Sequence, residues 1–353
     1  MLRLLIVDDS PTARELLAGI FALDPEIQVV GLAHNGKQGV ERAQELQPDV
    51  ITMDIEMPVL NGFQATKQIM TKCPTPTVIV SSNNAVHEQH VAVQAMEAGA
   101  LTVLRKPWGP GTSRFQKDAH ELIATVKAMA EVKVVRHHNR APTTPPLPLP
   151  PLPNSPKSSA ARIIGIASST GGPPALVQVL SRLPSEFPVP ILVVQHIAQG
   201  FTQGLVEYLD STVTLPVQLA RAGELLQNGR VYLSPDGYHL GTAVDRTACL
   251  STQPPIDGFR PSADFLFESL ATVYGPRAVG VIMTGMGHDG VEGLGKLHTA
   301  GGRVIAQDED SCVVFGMPGS AIEAGVVDRV LPVGAIAKEL LACVASRELL
   351  SDH

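Results

Sequence analysis

Apolar residues over the first 125 positions come in short unbroken runs rather than in alternation with polar ones. Leu2 to Val7, Gln28 to Leu32, Val50 to Met53, Thr77 to Ser81 and Leu101 to Leu104 read as strands, separated by stretches of helix-like spacing. Strands that do not alternate are covered on both faces, so the pattern predicts five β-α units built on a parallel sheet. The pattern returns at Arg162 to Ala167, Ile191 to Gln195, Ala278 to Met283 and Gly302 to Ala306, which predicts a second parallel α/β domain. From Val217 to Leu250 the runs are shorter and broken by NG and PDG turn signals, which predict an inserted hairpin.

Between the two halves the pattern stops. Residues 136–160, RHHNRAPTTPPLPLPPLPNSPKSSA, are rich in proline, serine and small polar residues. Proline lacks the N–H a helix or central strand needs, so this segment predicts a polyproline II spacer, and less commonly a docking strip for a proline-reading domain. The expected division is therefore residues 1–125 as one domain, 126–160 as a helix end and linker, and 161–350 as the other. Each is an α/β doubly wound fold, the first a flavodoxin-like (βα)5 unit. The length of 353 residues suits two such domains.

Composition narrows the function classes. With 44% hydrophobic, 17% charged and 4% aromatic residues the chain is globular, and a formal charge of −7 gives no basic field for nucleic acid. The start MLRLLIVDDS is too short for a membrane span and runs into carboxylates, unlike a cleaved signal. Cys73, Cys249, Cys312 and Cys343 are far apart with no paired spacing, which argues against a zinc site or a disulfide framework. A cytoplasmic protein without membrane insertion is expected.

Functional groups of a parallel sheet gather at strand C-terminal ends. In the first half those ends carry Asp8 and Asp9, Asp54, Ser81, and Lys106 followed by Pro107. Clustered carboxylates repel one another unless a hard cation joins them, so Asp8, Asp9 and Asp54 imply Mg²⁺. A carboxylate there can take a phosphoryl group whose oxygens Lys106 and Ser81 stabilise. Helix capping by Asp8 and Asp9, and a turn role for Asp54, are the ordinary alternatives.

In the second half, IIGIASSTGGPPAL reads as a strand, a tight turn and a helix start. Ser169 would then stand at a strand-to-helix elbow, with helix-start N–H groups near a developing oxyanion. Ser168 is a rival nucleophile, a helix cap is the bland reading for either serine, and a nucleotide loop is opposed by the missing Walker lysine. ILVVQH ends at His196, a candidate base, and VIMTGMGHDG carries Asp289, a candidate orienting carboxylate. His288 and His239 are alternative bases, and Asp236 and Asp264 alternative acids, the last placed where a helix cap would be.

VDDS, MDIEMPVLNG, VSS and LRKP resemble the receiver domain of two-component response regulators. That resemblance implies Asp54 as phosphoacceptor, Asp8 and Asp9 as the acidic pair, the Glu56 carbonyl in the metal shell, and Ser81 and Lys106 as switch residues. Val103 departs from the pattern, standing where many receivers have an aromatic. ASSTGGP, QH, SPDGYH, RPSAD, TGMGHDG and SCVVFGMP resemble the chemotaxis protein-glutamate methylesterase (CheB) family, which joins a receiver, a linker and a hydrolase in this order. Ser168 stands where that family commonly has alanine, and the linker is longer than usual.

By this second resemblance Ser169 is the nucleophile, His196 the base and Asp289 its acid, with no cofactor in the hydrolase domain. Methyl-accepting chemoreceptors would be the substrate, by ester hydrolysis and by deamidation of glutamines, and a chemotaxis-type histidine kinase the phosphodonor. The competing readings are a receiver-controlled adaptor without catalysis and, against the glycine-rich strand-loop pattern, a DNA-binding regulator.

Overall fold

The computed structural model describes residues 1–81, 94–95, 98–107, 109, 111, 115–130, 160–197 and 199–345. The proline-rich stretch, and with it the expected spacer, lies outside the described residues.

The first half is a parallel sheet of β1 (Leu2–Val7), β2 (Ile27–Ala33), β3 (Val50–Met53), β4 (Thr77–Ser81) and β5 (Thr102–Arg105), in the order β2-β1-β3-β4-β5. The chain reverses direction across the sheet between β1 and β3, so a crevice opens at the C-terminal ends of those two strands. β1 is buried from Leu4 to Val7 and β3 along its whole length, as unbroken apolar runs require. Helices α1 (Pro11–Phe21), α2 (Gly36–Leu46), α3 (Gly62–Lys72) and α4 (Phe115–Ala130) accompany the strands. The first three of them are capped by neutral residues: Ser10 accepts from the Ala13 N–H, Asn35 from Gln38 and Asn61 from Gln64.

The second half is a seven-stranded parallel sheet. Its order is β14-β13-β12-β6-β7-β9-β8, from β6 (Ile163–Ser168), β7 (Ile191–Gln195), β8 (Val217–Leu219), β9 (Val231–Leu233), β12 (Ala278–Ile282), β13 (Arg303–Gln307) and β14 (Arg329–Leu331). Here the reversal falls between β6 and β12. The helices are α5 (Gly172–Leu180), α6 (Thr202–Thr212), α7 (Ala263–Tyr274), α8 (Val291–Thr299), α9 (Met317–Glu323) and α10 (Val333–Val344). The expected hairpin exists as β10 (His239–Thr242) with β11 (Ala248–Ser251), antiparallel. The rest of that insert is not hairpin: β8 and β9 extend the main sheet in parallel.

The two halves meet at their functional ends. Phe201, just before α6, is 1% exposed and belongs to the apolar cluster of the first sheet that includes Ala100 and Val103, with Ile197 packed against it. Val313 and Val314 pack against the cluster on the sheet's other face, and Arg105 Nη2 donates to the Gln199 carbonyl at 3.1 Å.

Candidate functional site

The acidic residues of the first half converge at the β1/β3 crevice. One carboxylate oxygen from each of Asp8, Asp9 and Asp54 lies within 4.8 Å of the others, Asp8 and Asp54 buried and Asp9 exposed. Ser10 and Asn61 supply the side-chain caps of α1 and α3, and Asp8 Oδ1 accepts the Ser10 N–H at 3.0 Å just ahead of α1. Lys106 Nζ stands 2.8 Å from Asp8 Oδ2 and 3.0 Å from Asp54 Oδ2, and the backbone N–H of Lys106 donates to the Ser81 carbonyl at 2.7 Å. Burial pushes the Asp54 carboxyl up to about 6, against the opposing pull of Lys106. Asp8 Oδ2 is buried and, despite the nearby ammonium, receives no aligned hydrogen bond. Two buried carboxylates beside an exposed third form a hard-oxygen donor set that fits Mg²⁺. Glu56 lies two residues beyond Asp54, with its side chain exposed.

In the second half the residues come from three adjacent strands. Ser168, the last residue of β6, pairs in register with Gln195, the last of β7, and the His196 N–H donates to the Ser168 carbonyl at 2.9 Å. Ser169 and His196 therefore leave neighbouring strands at the same level. The chain after Ser169 turns through Gly171, whose φ of 77° is left-handed, into α5 with prolines in its first turn. The Ser169 N–H donates to the Thr284 carbonyl at 3.0 Å, which ties the elbow to the loop after β12.

That loop delivers Asp289, 1% exposed, with Oδ2 2.8 Å from His196 Nε2. The contact lies off the line of the ring N–H, and Nδ1 has no hydrogen-bond partner among the described residues. Asp289 also closes the N-terminus of α7: Oδ1 accepts from Ser262 Oγ at 2.7 Å and from the Asp264 N–H at 3.2 Å, and Oδ2 from the Ala263 N–H at 2.7 Å. Burial by itself would raise its pKa. His196, the Ala263 N–H and Ser262 outweigh that and hold the carboxyl below its ordinary value.

The alternatives have other partners. Ser168 is fully buried with its hydroxyl donated to Gln195 Oε1 at 2.7 Å, whereas Ser169 is partly exposed. His239 is fully buried between the Pro254 carbonyl and the Ser262 N–H. The His288 side chain is 70% exposed, 3.9 Å from Asp257. Asp236 accepts from Gly200 and Thr202 at the start of α6. Asp264 caps a helix other than its own, accepting from the Gly293 N–H of α8 at 2.7 Å.

Sequence reading did not single out Phe259, whose ring stacks on His196 with centroids 4.3 Å apart and planes 8° apart. It also missed Ser262, although RPSAD ahead of an apolar helical run is a cap signal, and Thr284, whose Oγ1 donates to the Thr170 carbonyl and accepts from the Val313 and Val314 N–H groups.

Comparison with known proteins matches residues 164–340 to the CheB methylesterase family and residues 4–114 to the response regulator receiver domain family. The chain is 49% identical over 340 residues, 96% of each chain, to protein-glutamate methylesterase/protein-glutamine glutaminase 4 of Myxococcus xanthus (strain DK1622). It is 49% identical over 341 residues, 96% of this chain and 98% of the relative, to protein-glutamate methylesterase/protein-glutamine glutaminase 3 of Anaeromyxobacter dehalogenans (strain 2CP-C). The crystal structure of the Thermotoga maritima CheB methylesterase catalytic domain matches with a TM-score of 0.50 at 43% identity, covering 52% of this chain and 99% of that one.

Proposed function

The chain belongs to the CheB methylesterase family and is a receiver-bearing protein-glutamate methylesterase; from this premise we propose that Ser169, His196 and Asp289 are its catalytic triad and Asp54 its phosphoacceptor. The observation that carries the triad is the 2.8 Å contact between His196 and a buried Asp289, set beside the Ser169 elbow on three adjacent central strands. Asp289 faces Nε2, which leaves Nδ1 as the proton acceptor.

Ser169 Oγ attacks the γ-carbonyl of a glutamyl methyl ester as His196 takes its proton. N–H groups at the start of α5 favour the developing oxyanion. His196, now an imidazolium facing the Asp289 carboxylate, returns the proton to the leaving methoxide and methanol departs. Water, activated by the same imidazole, then cleaves the glutamyl-enzyme to a free carboxylate. A glutamine side chain follows the same route with ammonia as leaving group. No cofactor enters these steps.

In the receiver half, Asp8, Asp9 and Asp54, with the Glu56 carbonyl, would hold Mg²⁺, which supplies charge neutralisation for phosphoryl transfer to Asp54. Ser81 and Lys106 would bind the phosphoryl oxygens. The packing of Phe201, Val313 and Val314 against the receiver supports control by occlusion, since Phe201 lies in the loop after β7 that begins at His196, and Val313 and Val314 lie in the loop after β13, the strand beside β12. The substrate in this reading is the cytoplasmic part of methyl-accepting chemoreceptors, the phosphodonor a chemotaxis-type histidine kinase, and the compartment the cytoplasm. Among the described residues no helix is long and apolar enough to cross a membrane. The unit boundaries near residues 125 and 160 belong to the same proposal, supported by two separate sheets and two separate family matches.

A fluorophosphonate serine reagent tests the nucleophile. The reading expects the parent and Ser168→Ala to be labelled at similar rates and Ser169→Ala to stay unlabelled; labelling that survives in Ser169→Ala would overturn it.

A further inference from the structure

The loop of residues 252–262, between β11 and α7, touches both halves of the His196–Asp289 pair. Phe259, in its middle, stacks nearly parallel on the His196 imidazole, 4.3 Å between centroids. Ser262, at its end and fully buried, donates its hydroxyl to Asp289 Oδ1 at 2.7 Å. The loop is also pinned to itself: Arg260 Nη1 donates to the Thr252 and Gln253 carbonyls at 3.2 and 3.1 Å, and Ile256 and Phe259 exchange backbone hydrogen bonds.

One side chain fastens the loop at both ends. The Ser262 N–H donates to His239 Nδ1 at 3.2 Å, and an N–H can donate only to an unprotonated ring nitrogen. The ring proton is therefore on Nε2, which donates to the Pro254 carbonyl at 3.1 Å. His239 is fully buried and stacked against Phe265, with centroids 5.0 Å apart. A neutral imidazole in this tautomer spans residues 254 and 262.

We propose that loop 252–262 is a brace for the catalytic pair, in which Phe259 and Ser262 are positioning residues and His239 is the clasp that holds the brace closed. Without the Ser262 hydroxyl, Asp289 Oδ1 keeps only the 3.2 Å donor from Asp264, and the carboxylate is freer to rotate away from His196. Without the Phe259 ring, one face of the imidazole opens to water and its plane is no longer fixed. A flat aromatic face also tolerates the imidazolium formed during turnover. Productive geometry that slips by about 1 Å costs on the order of a hundredfold in rate, so positions that never touch substrate can govern turnover.

The proposal rests on the triad reading, and the experiment separates the two. Methanol release from a methylated receptor fragment is measured with the full-length, phosphodonor-activated protein, and active sites are counted with the serine reagent. Ser262→Ala and Phe259→Leu should lower kcat per active site about ten- to a hundredfold with KM changed less than about twofold. Because Ser262 helps hold the Asp289 carboxyl below its ordinary value, Ser262→Ala should also move the acid limb of kcat/KM to higher pH. Ser262→Thr and Phe259→Tyr should restore most of the rate. His239→Asn, which keeps an acceptor for the Ser262 N–H, should retain more activity than His239→Leu. Ser262→Ala and Phe259→Leu proteins with parental melting temperatures, parental kcat per active site and an unmoved pH profile would overturn the brace. Turnover that persists in Ser169→Ala would instead overturn the triad on which it stands.

Discussion

Asp54 is a carboxylate held where its charge is costly. Its pKa of about 6, raised above the ordinary 3.8 by burial, means that the folded receiver binds a proton more tightly than the unfolded chain. The resulting stability is complete below about pH 4 and is lost as pH rises through about 6. Without divalent metal, Asp54→Asn should therefore be more stable than the parent by up to about 3 kcal/mol above neutrality, a gap that closes toward about pH 4. Mg²⁺ should narrow it by favouring the ionised carboxylate. Denaturant midpoints across pH, with chelator and with Mg²⁺, measure this directly; a gap independent of pH would contradict it.

At single positions the sequence was most legible where chemistry and strand ends coincide. Asp8, Asp54, Ser81, Lys106, Ser169, His196 and Asp289 were all singled out from short motifs closing apolar runs, and the fold gathers them into two crevices. A motif does not tell Ser168 from Ser169, because two adjacent serines differ only in which one the strand buries, and here that is Ser168. Phe259 was invisible for a related reason: an aromatic in a polar loop carries no periodicity, and its partner His196 is 63 residues away in the chain.

Among elements, the unbroken apolar runs gave the central strands to within a residue or two, since strands buried on both faces cannot disguise themselves. Short peripheral ones were harder. β14 is three residues with its first exposed, and β8 and β9 are three residues each, so turn signals outweighed the strand pattern and suggested hairpin where the chain makes parallel strands. Asp264, placed where a helix cap would be, caps α8 rather than its own α7, whose start Asp289 reaches across to close. The loop after β12 has little slack. A Cβ at Gly285 would stand 2.7 Å from Ser169 Cβ. Gly285→Ala should therefore reduce kcat at least tenfold while melting cooperatively. Parental turnover in that variant would show that the elbow has room the geometry denies it.

On the scale of the whole molecule, two sheets that each place their chemistry at a reversal of strand order face one another through those ends. Arg105, adjacent to Lys106, reaches the Gln199 carbonyl three residues beyond His196. A change at Lys106 thus has a short path, through its chain neighbour Arg105 and one hydrogen bond, to the loop that follows His196. Phosphorylation that draws Lys106 toward a phosphoryl group would bias the contact at Arg105 and shift the population of closed and open arrangements. Val103, buried at 4% exposure in the same apolar cluster as Phe201, has no aromatic ring of its own to rotate, and that cluster is part of the face where the two halves meet. Deleting residues 1–130 should raise esterase activity in the absence of phosphodonor. No rise would count against occlusion and favour activation by contact with the phosphorylated receiver.

A Ser169 esterase governed through Asp54 would release methanol from a methylated chemoreceptor cytoplasmic fragment, and that release is the measurement to make. The parent, Ser169→Ala and Asp54→Asn should each be assayed with and without a small-molecule phosphodonor and Mg²⁺. Release should disappear in Ser169→Ala, and should rise with phosphodonor in the parent but not in Asp54→Asn. Release that survives in Ser169→Ala, or equal stimulation of Asp54→Asn and the parent, would contradict it.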